Sequence, residues 1–270
     1  MKSVIWLSFF VVFSGAVSPM SYAQDEGAAF HVAAGVATEP AYVGSSHYVA
    51  QPVYDAGGSY RNATWGTFEL GVLQGARWQL PLSSPLGVAL LMAYDAGRDE
   101  RIRTLGGHNT QLRGMGDLGG ALEAGAELSY QFAPARVYVK GMQALRSRDY
   151  GDEALGHTAY VDLGVDGEHA LDEQWTLSSK FYATWANGGY QRGYFGVTPA
   201  QAARTDFAAY HPKSGIRQVT AEAALNYQWT SNVALQGGVE VYRLTGDAAD
   251  SPLVEKSLAG MAFLSASYQF

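Results

Sequence analysis

The residues with chemical potential in this chain are ionisable groups that recur at every second position, together with six histidines. Glu69, Asp95, Glu123, Glu127, Asp162, Asp166, Glu168, Glu222 and Glu240 occupy one phase of alternating stretches, and Arg77, Arg136, Lys140 and Lys180 share that phase. Period two puts one phase on one face of a strand, so these groups form an acidic face with few cations. If Ala133-Pro134 makes a two-residue turn, Glu127 stands opposite Lys140 and can pair with it; if Thr230 to Asn232 makes a three-residue turn, Glu222 stands opposite Glu240. Two facing carboxylates repel unless they are hydrated, partly protonated or bridged by a cation such as Lys180. The face therefore reads either as an internal ion-pair network that stiffens the fold or as a cation-preferring passage.

Catalysis has less to stand on. His31 lies in the polar phase, His47, His108 and His211 lie in loop-like segments, and His157 and His169 lie at the ends of alternating stretches. None sits mid-strand in the apolar phase beside a serine, where a barrel lipid hydrolase needs its Ser-His pair. G-x-S-x-G, H-E-x-x-H and the phosphate-cradling G-x-x-x-x-G-K-[ST] loop are missing from the sequence. Asp247 and Asp250 lack the further ordered oxygen ligands that a hard cation requires. The expectation is no enzyme, no cofactor and no metal.

The elements that must position the charged face begin after a leader. Lys2, the apolar core Val4 to Val17 and the small-x-small site Ser21-Tyr22-Ala23 describe a cleaved secretory signal peptide over residues 1–23, leaving residues 24–270 as one domain. Cleavage leaves 17 basic against 25 acidic residues, which argues against nucleic acid as a partner. Later apolar runs fall short of the roughly 20 residues of a spanning helix, so membrane insertion must use strands. The sequence has no cysteine, which removes disulfides and thiolate sites. Its 6 Trp, 17 Tyr and 11 Phe suit the aromatic girdles of a membrane barrel.

Twelve alternating stretches follow: 28–37, 48–61, 64–73, 76–80, 87–96, 122–132, 136–145, 159–166, 175–185, 218–229, 233–242 and 258–270. In 122–132, Leu122, Ala124, Ala126, Leu128, Tyr130 and Phe132 oppose Glu123, Gly125, Glu127, Ser129 and Gln131, the pattern of a full-length membrane strand. Trp175 and Trp185 bracket another apolar phase. Long loops at 97–118, 147–156, 187–214 and 245–256 fall at one end, and short turns at 133–134, 170–173 and 230–232 at the other. This sorting predicts an all-β, transmembrane, antiparallel up-and-down barrel of about 12 strands with both termini in the periplasm. Ten strands is the alternative if the first 90 residues supply fewer. The closing stretch ends on Tyr268 and Phe270, an aromatic recognition signal for the outer-membrane assembly machinery by analogy with other barrels, although Ser265 stands where many such signals have glycine.

Four loops carry a resemblance. Pro40-Ala41-Tyr42-Val43-Gly44-Ser45, Gly97-Arg98-Asp99-Glu100, the Tyr194-Phe195-Gly196-Val197-Thr198-Pro199-Ala200-Gln201 run and Gly246-Asp247-Ala248-Ala249-Asp250-Ser251-Pro252 occur in the order found in the MipA/OmpV family, which the chain resembles throughout its mature length. One departure is Val43, where the usual motif has an acidic residue. The resemblance implies a barrel in outer-membrane lipid that acts as a scaffold linking a lytic murein transglycosylase to a murein synthase. Relatives described as antibiotic-uptake routes or surface immunogens supply the channel and adhesin alternatives. Extracellular motif loops sit poorly with periplasmic murein enzymes, so either those loops fold into the lumen for a shared structural purpose, which is the expectation because Gly, Pro and Tyr fix turns and pack plugs, or a channel or surface role explains them.

Overall fold

The computed structural model describes residues 26–83, 85–104 and 107–270; the expected leader lies outside them. In chain order the strands are β1 (Gly27–Pro40), β2 (Tyr48–Asn62), β3 (Gly66–Gly71), β4 (Gly75–Gln79), β5 (Leu86–Asp95), β6 (Ile102–Thr104), β7 (Gly107–Asn109) and β8 (Ala121–Phe132). They continue as β9 (Ala135–Ala144), β10 (Arg148–Tyr150), β11 (Glu153–Gly156), β12 (Ala159–Ala170), β13 (Trp175–Ala186), β14 (Gly215–Gln228), β15 (Val233–Leu244) and β16 (Leu258–Gln269). Three short helices, α1 (Gly188–Phe195), α2 (Pro199–Ala202) and α3 (Gly246–Ala249), lie in loops. The pairs β6–β7 and β10–β11 are separate hairpins, and the other strands close a 12-stranded antiparallel barrel.

Closure is made by β1 and β16, in register from His31 opposite Gln269 to Thr38 opposite Ala262. It leaves no sheet edge, the condition for carrying strands through hydrocarbon. Alternation sends Phe30, Val36, Leu70, Leu90, Leu128, Leu163, Phe181, Val239 and Leu264 outward, all exposed. Such a continuous apolar exterior is what lipid requires. Aromatic pairs mark the short-turn end: Trp175 with Tyr227 at 4.7 Å, Phe68 with Trp78 at 5.2 Å and Tyr268 with Phe270 at 4.9 Å between ring centroids.

The third stretch is shorter than its pattern suggests. Trp65 lies in the turn before β3, because Asn62 Oδ1 accepts from the Thr64 and Trp65 amides at 2.9 and 3.1 Å and ends β2 there. At the other end of the barrel the long connections have internal structure that strand alternation does not reveal. Asn187 caps α1 by accepting from the Tyr190 amide at 2.9 Å. Thr198 and Gln201 make a reciprocal capping box around Pro199, which starts α2.

Candidate functional site

The four motif loops converge on one another inside the loop end of the barrel. Arg98 is buried; its guanidinium donates to the Tyr194 carbonyl and to Tyr150 Oη, both at 2.6 Å. Tyr194 Oη donates to Asp95, whose Oδ2 also takes Arg148 at 2.6 Å. Ser251 Oγ donates to the Phe195 carbonyl at 2.6 Å, and Gln201 Nε2 to the Met115 carbonyl at 2.7 Å. Tyr42, Phe195, Val197, Ala248 and Leu253 form a dry core with Leu112, Met115 and Leu118. Gly97 has φ +78 beneath the Leu118 carbonyl, where a β-carbon would collide, and a β-carbon on Gly44 would come within 2.7 Å of Val254. These two motif glycines are there because backbone passes close to chain.

Two carboxylates at the rim hold loop backbone. Glu100 Oε2 accepts from the Gly114 and Gly116 amides at 2.9 and 3.1 Å, and these bonds hold its pKa below the ordinary value. Glu255 Oε2 accepts from the Ser46 amide and hydroxyl, each at 2.7 Å, while its other oxygen takes Gln111; the Ser46 amide is the chief reason that its pKa falls to about 2. Asp247 accepts from the Lys213 amide at 2.8 Å and Asp250 caps the end of α3, so both serve the loop.

The loop cluster packs onto the inner wall of the barrel. Tyr190 from α1 packs edge-on against inward-facing Tyr160 at 5.8 Å, and Arg217 lies 5.2 Å over its ring. Below it, inward-facing Thr184 and Thr220 have no exposed surface and Glu240 only 1%. The family described as MltA-interacting protein MipA matches residues 32–270. The chain belongs to that family. Curated MipA relatives, each called MltA-interacting protein, come from Escherichia coli strain K12 and Shigella flexneri; both are 26% identical over 160 residues, 59% of this chain and 61% of theirs. The match thus spans less than two thirds of their length. Among solved structures, an outer-membrane channel from Pseudomonas putida F1 is 14% identical with a TM-score of 0.46, covering 94% of this chain and all of that one. OmpT of Vibrio cholerae is 10% identical with a TM-score of 0.42, covering 92% and 99%. This MipA-family chain is an outer-membrane β-barrel.

In this MipA barrel the charged phase faces inward. The register sets Glu127 opposite Lys140 and Glu222 opposite Glu240. The expected Glu127–Lys140 ion pair is replaced by others. Glu127 Oε1 takes Arg77 at 2.8 Å and Arg136 at 2.7 Å, and Lys140 reaches Asp162 at 2.8 Å. Arginine is long enough to reach diagonally, so the Cα partner does not determine the ionic one. Arg136 also grips Asp166 in a fork, at 2.9 and 2.6 Å. Glu222 and Glu240 have no such partner. Glu222 Oε1 and both Glu240 carboxylate oxygens are buried without a hydrogen bond among the described residues.

Of the motif residues, Tyr42, Tyr194, Phe195 and Ser251 are buried in the plug, while Pro40, Gly44, Gly196, Thr198, Pro199, Gly246 and Pro252 shape the turns and caps that deliver them. Sequence reading did not single out Tyr150, Arg148, Leu112 or Met115. Thr198-Pro199-Ala200-Gln201 was legible as a helix start, since the Thr-x-x-Gln spacing with proline at the first helical position is a capping box.

Proposed function

We propose that this barrel is an envelope scaffold that docks a lytic murein transglycosylase, and with it a murein synthase, at the periplasmic side of the outer membrane, without chemistry of its own. The observation that carries this reading is the plug. Helix α1 packs on inward-facing Tyr160, and inward-facing Thr220 and Glu240 are closed to solvent, which argues for a platform over a cation-preferring passage. The name of the relatives supports a transglycosylase as the partner. With the termini and short turns toward the periplasm, the docking surface is the end formed by 63–65, 80–83, 133–134, 171–174 and 229–232.

The test is retention of murein enzymes from envelope extract by the purified barrel in mild detergent. Capture of a transglycosylase or a synthase is expected, and loss of both refutes the scaffold. Two further parts of the reading concern biogenesis: residues 1–23 are removed on export, and Tyr268 with Phe270 is read by the assembly machinery. Deleting Phe270 is expected to lower the inserted fraction several-fold in a heat-modifiability assay; normal insertion contradicts that role.

A further inference from the structure

The outward phase of the barrel is almost free of charge. Among the described residues of its twelve strands, that phase carries no Asp, Glu or Lys and one Arg, Arg243. Arg217 sits at the β14 bulge and turns inward over Tyr190. Alternation ties Arg243 to the outer face: Val239 and Val241 before it are exposed, while Tyr242 and Leu244 on either side are buried. From Val233 to Arg243 the chain climbs about 25 Å at ordinary strand rise and tilt, the whole height of a barrel's apolar band. Arg243 therefore stands at the headgroup level of the outer leaflet.

Lys256 carries the same phase past the end of β16. Leu258 is the register partner of Arg243, the Leu244 amide donates to the Ser257 carbonyl at 2.7 Å, and exposed Lys256 comes next. Neither cation has an ion-pair partner among the described residues. Glu255, the acid beside Lys256 in sequence, is tied to Ser46 and Gln111 instead. Below them Tyr48 Oη accepts from the Gly260 amide at 3.1 Å and so keeps its own proton to donate. On other strands the loop end of this face closes on uncharged groups such as Tyr94, Leu122 and Trp185. Two unpaired cations above an apolar face fit an anion that arrives with hydrocarbon attached; an acidic protein segment would leave Val241 and Leu258 unused, and a zwitterionic headgroup brings its own cation. The guanidinium fork suits a phosphate in two-point contact, and the lysine adds a point charge. We infer that Arg243 and Lys256 hold a phosphate of an outer-leaflet lipid, whose acyl chains lie along Val219, Val241 and Leu258. The site does not depend on the scaffold reading.

The experiment is native mass spectrometry of the folded full-length barrel in dodecyl maltoside with bisphosphorylated lipid A or its dephosphorylated form, each with and without inorganic phosphate at the same concentration. Retention of lipid A is expected, with at least fivefold less of the dephosphorylated form. The double variant Arg243→Ser, Lys256→Ser should lose that preference while keeping its heat-modifiable migration; if it does not fold, Lys256→Ser alone should lower lipid A retention at least twofold. Arg101→Ser, which removes an exposed loop arginine outside the strand face, should leave the preference intact. Equal retention of the two lipids, no loss in the folded variants, an equal loss in Arg101→Ser, or displacement of lipid A by inorganic phosphate overturns the site.

Discussion

The two sides of the lumen use the same residue types and solve the same problem differently. Around β8, β9 and β12, Glu127 has Arg77 and Arg136, and Asp162 has Lys140 and the Thr184 hydroxyl, while Glu123 alone on that side keeps one buried oxygen, Oε1, without a hydrogen bond among the described residues. Around β14 and β15, Glu222 and Glu240 face each other with three oxygens unpartnered. A buried charge is tolerable when charge-assisted hydrogen bonds meet it and costly when they do not. One side therefore gains rigidity from its charges, and the other stores an electrostatic deficit.

Breaking the paired side should have the largest effect. Arg136→Met leaves Glu127 with one partner and Asp166 without its fork, and should destabilise the barrel by about 3 kcal/mol in urea unfolding from lipid vesicles. An unchanged midpoint would erase the contrast. On the deficient side the sign reverses: Glu240→Gln removes a like-charge contact and supplies a donor toward Glu222, so the urea midpoint should rise, by roughly 1 kcal/mol in free energy. A fall comparable to that of Arg136→Met would show the two sides to be equivalent.

A smaller effect lies at the rim, where Glu255 is tied to Ser46. Its pKa is depressed from 4.5 to about 2, so its contribution to loop closure is complete above about 4.5 and is lost as pH falls through about 2. The group is partly solvent-exposed, which keeps the effect modest. The Ser46 amide resonance should titrate with a midpoint near 2 and lose that titration in Glu255→Gln; a midpoint near the ordinary carboxylate value would remove the tether.

The wall was legible because lipid outside and polar groups inside impose strict alternation, as in Leu122 to Phe132, where a one-residue slip would reverse every side chain. The register of Glu222 with Glu240 followed from turn length alone. The ionic partners did not, because Arg77 and Arg136 reach across strands to Glu127 and leave Lys140 to Asp162. The plug was legible as a set of motifs but not as contacts. Arg98 meets the Tyr194 carbonyl 96 residues away and Ser251 meets Phe195 across 56, with no periodicity to announce either. The brief helices α1 and α2 depend on the caps at Asn187 and Thr198, which strand alternation ignores.

The central claim, that motif loops close this barrel, is tested most directly by conductance in planar bilayers. The intact protein should show no steady ohmic current, while a variant with 189–213 replaced by a short glycine-serine turn should conduct. Steady current through the intact barrel, equal to that of the loop-shortened variant, would contradict it.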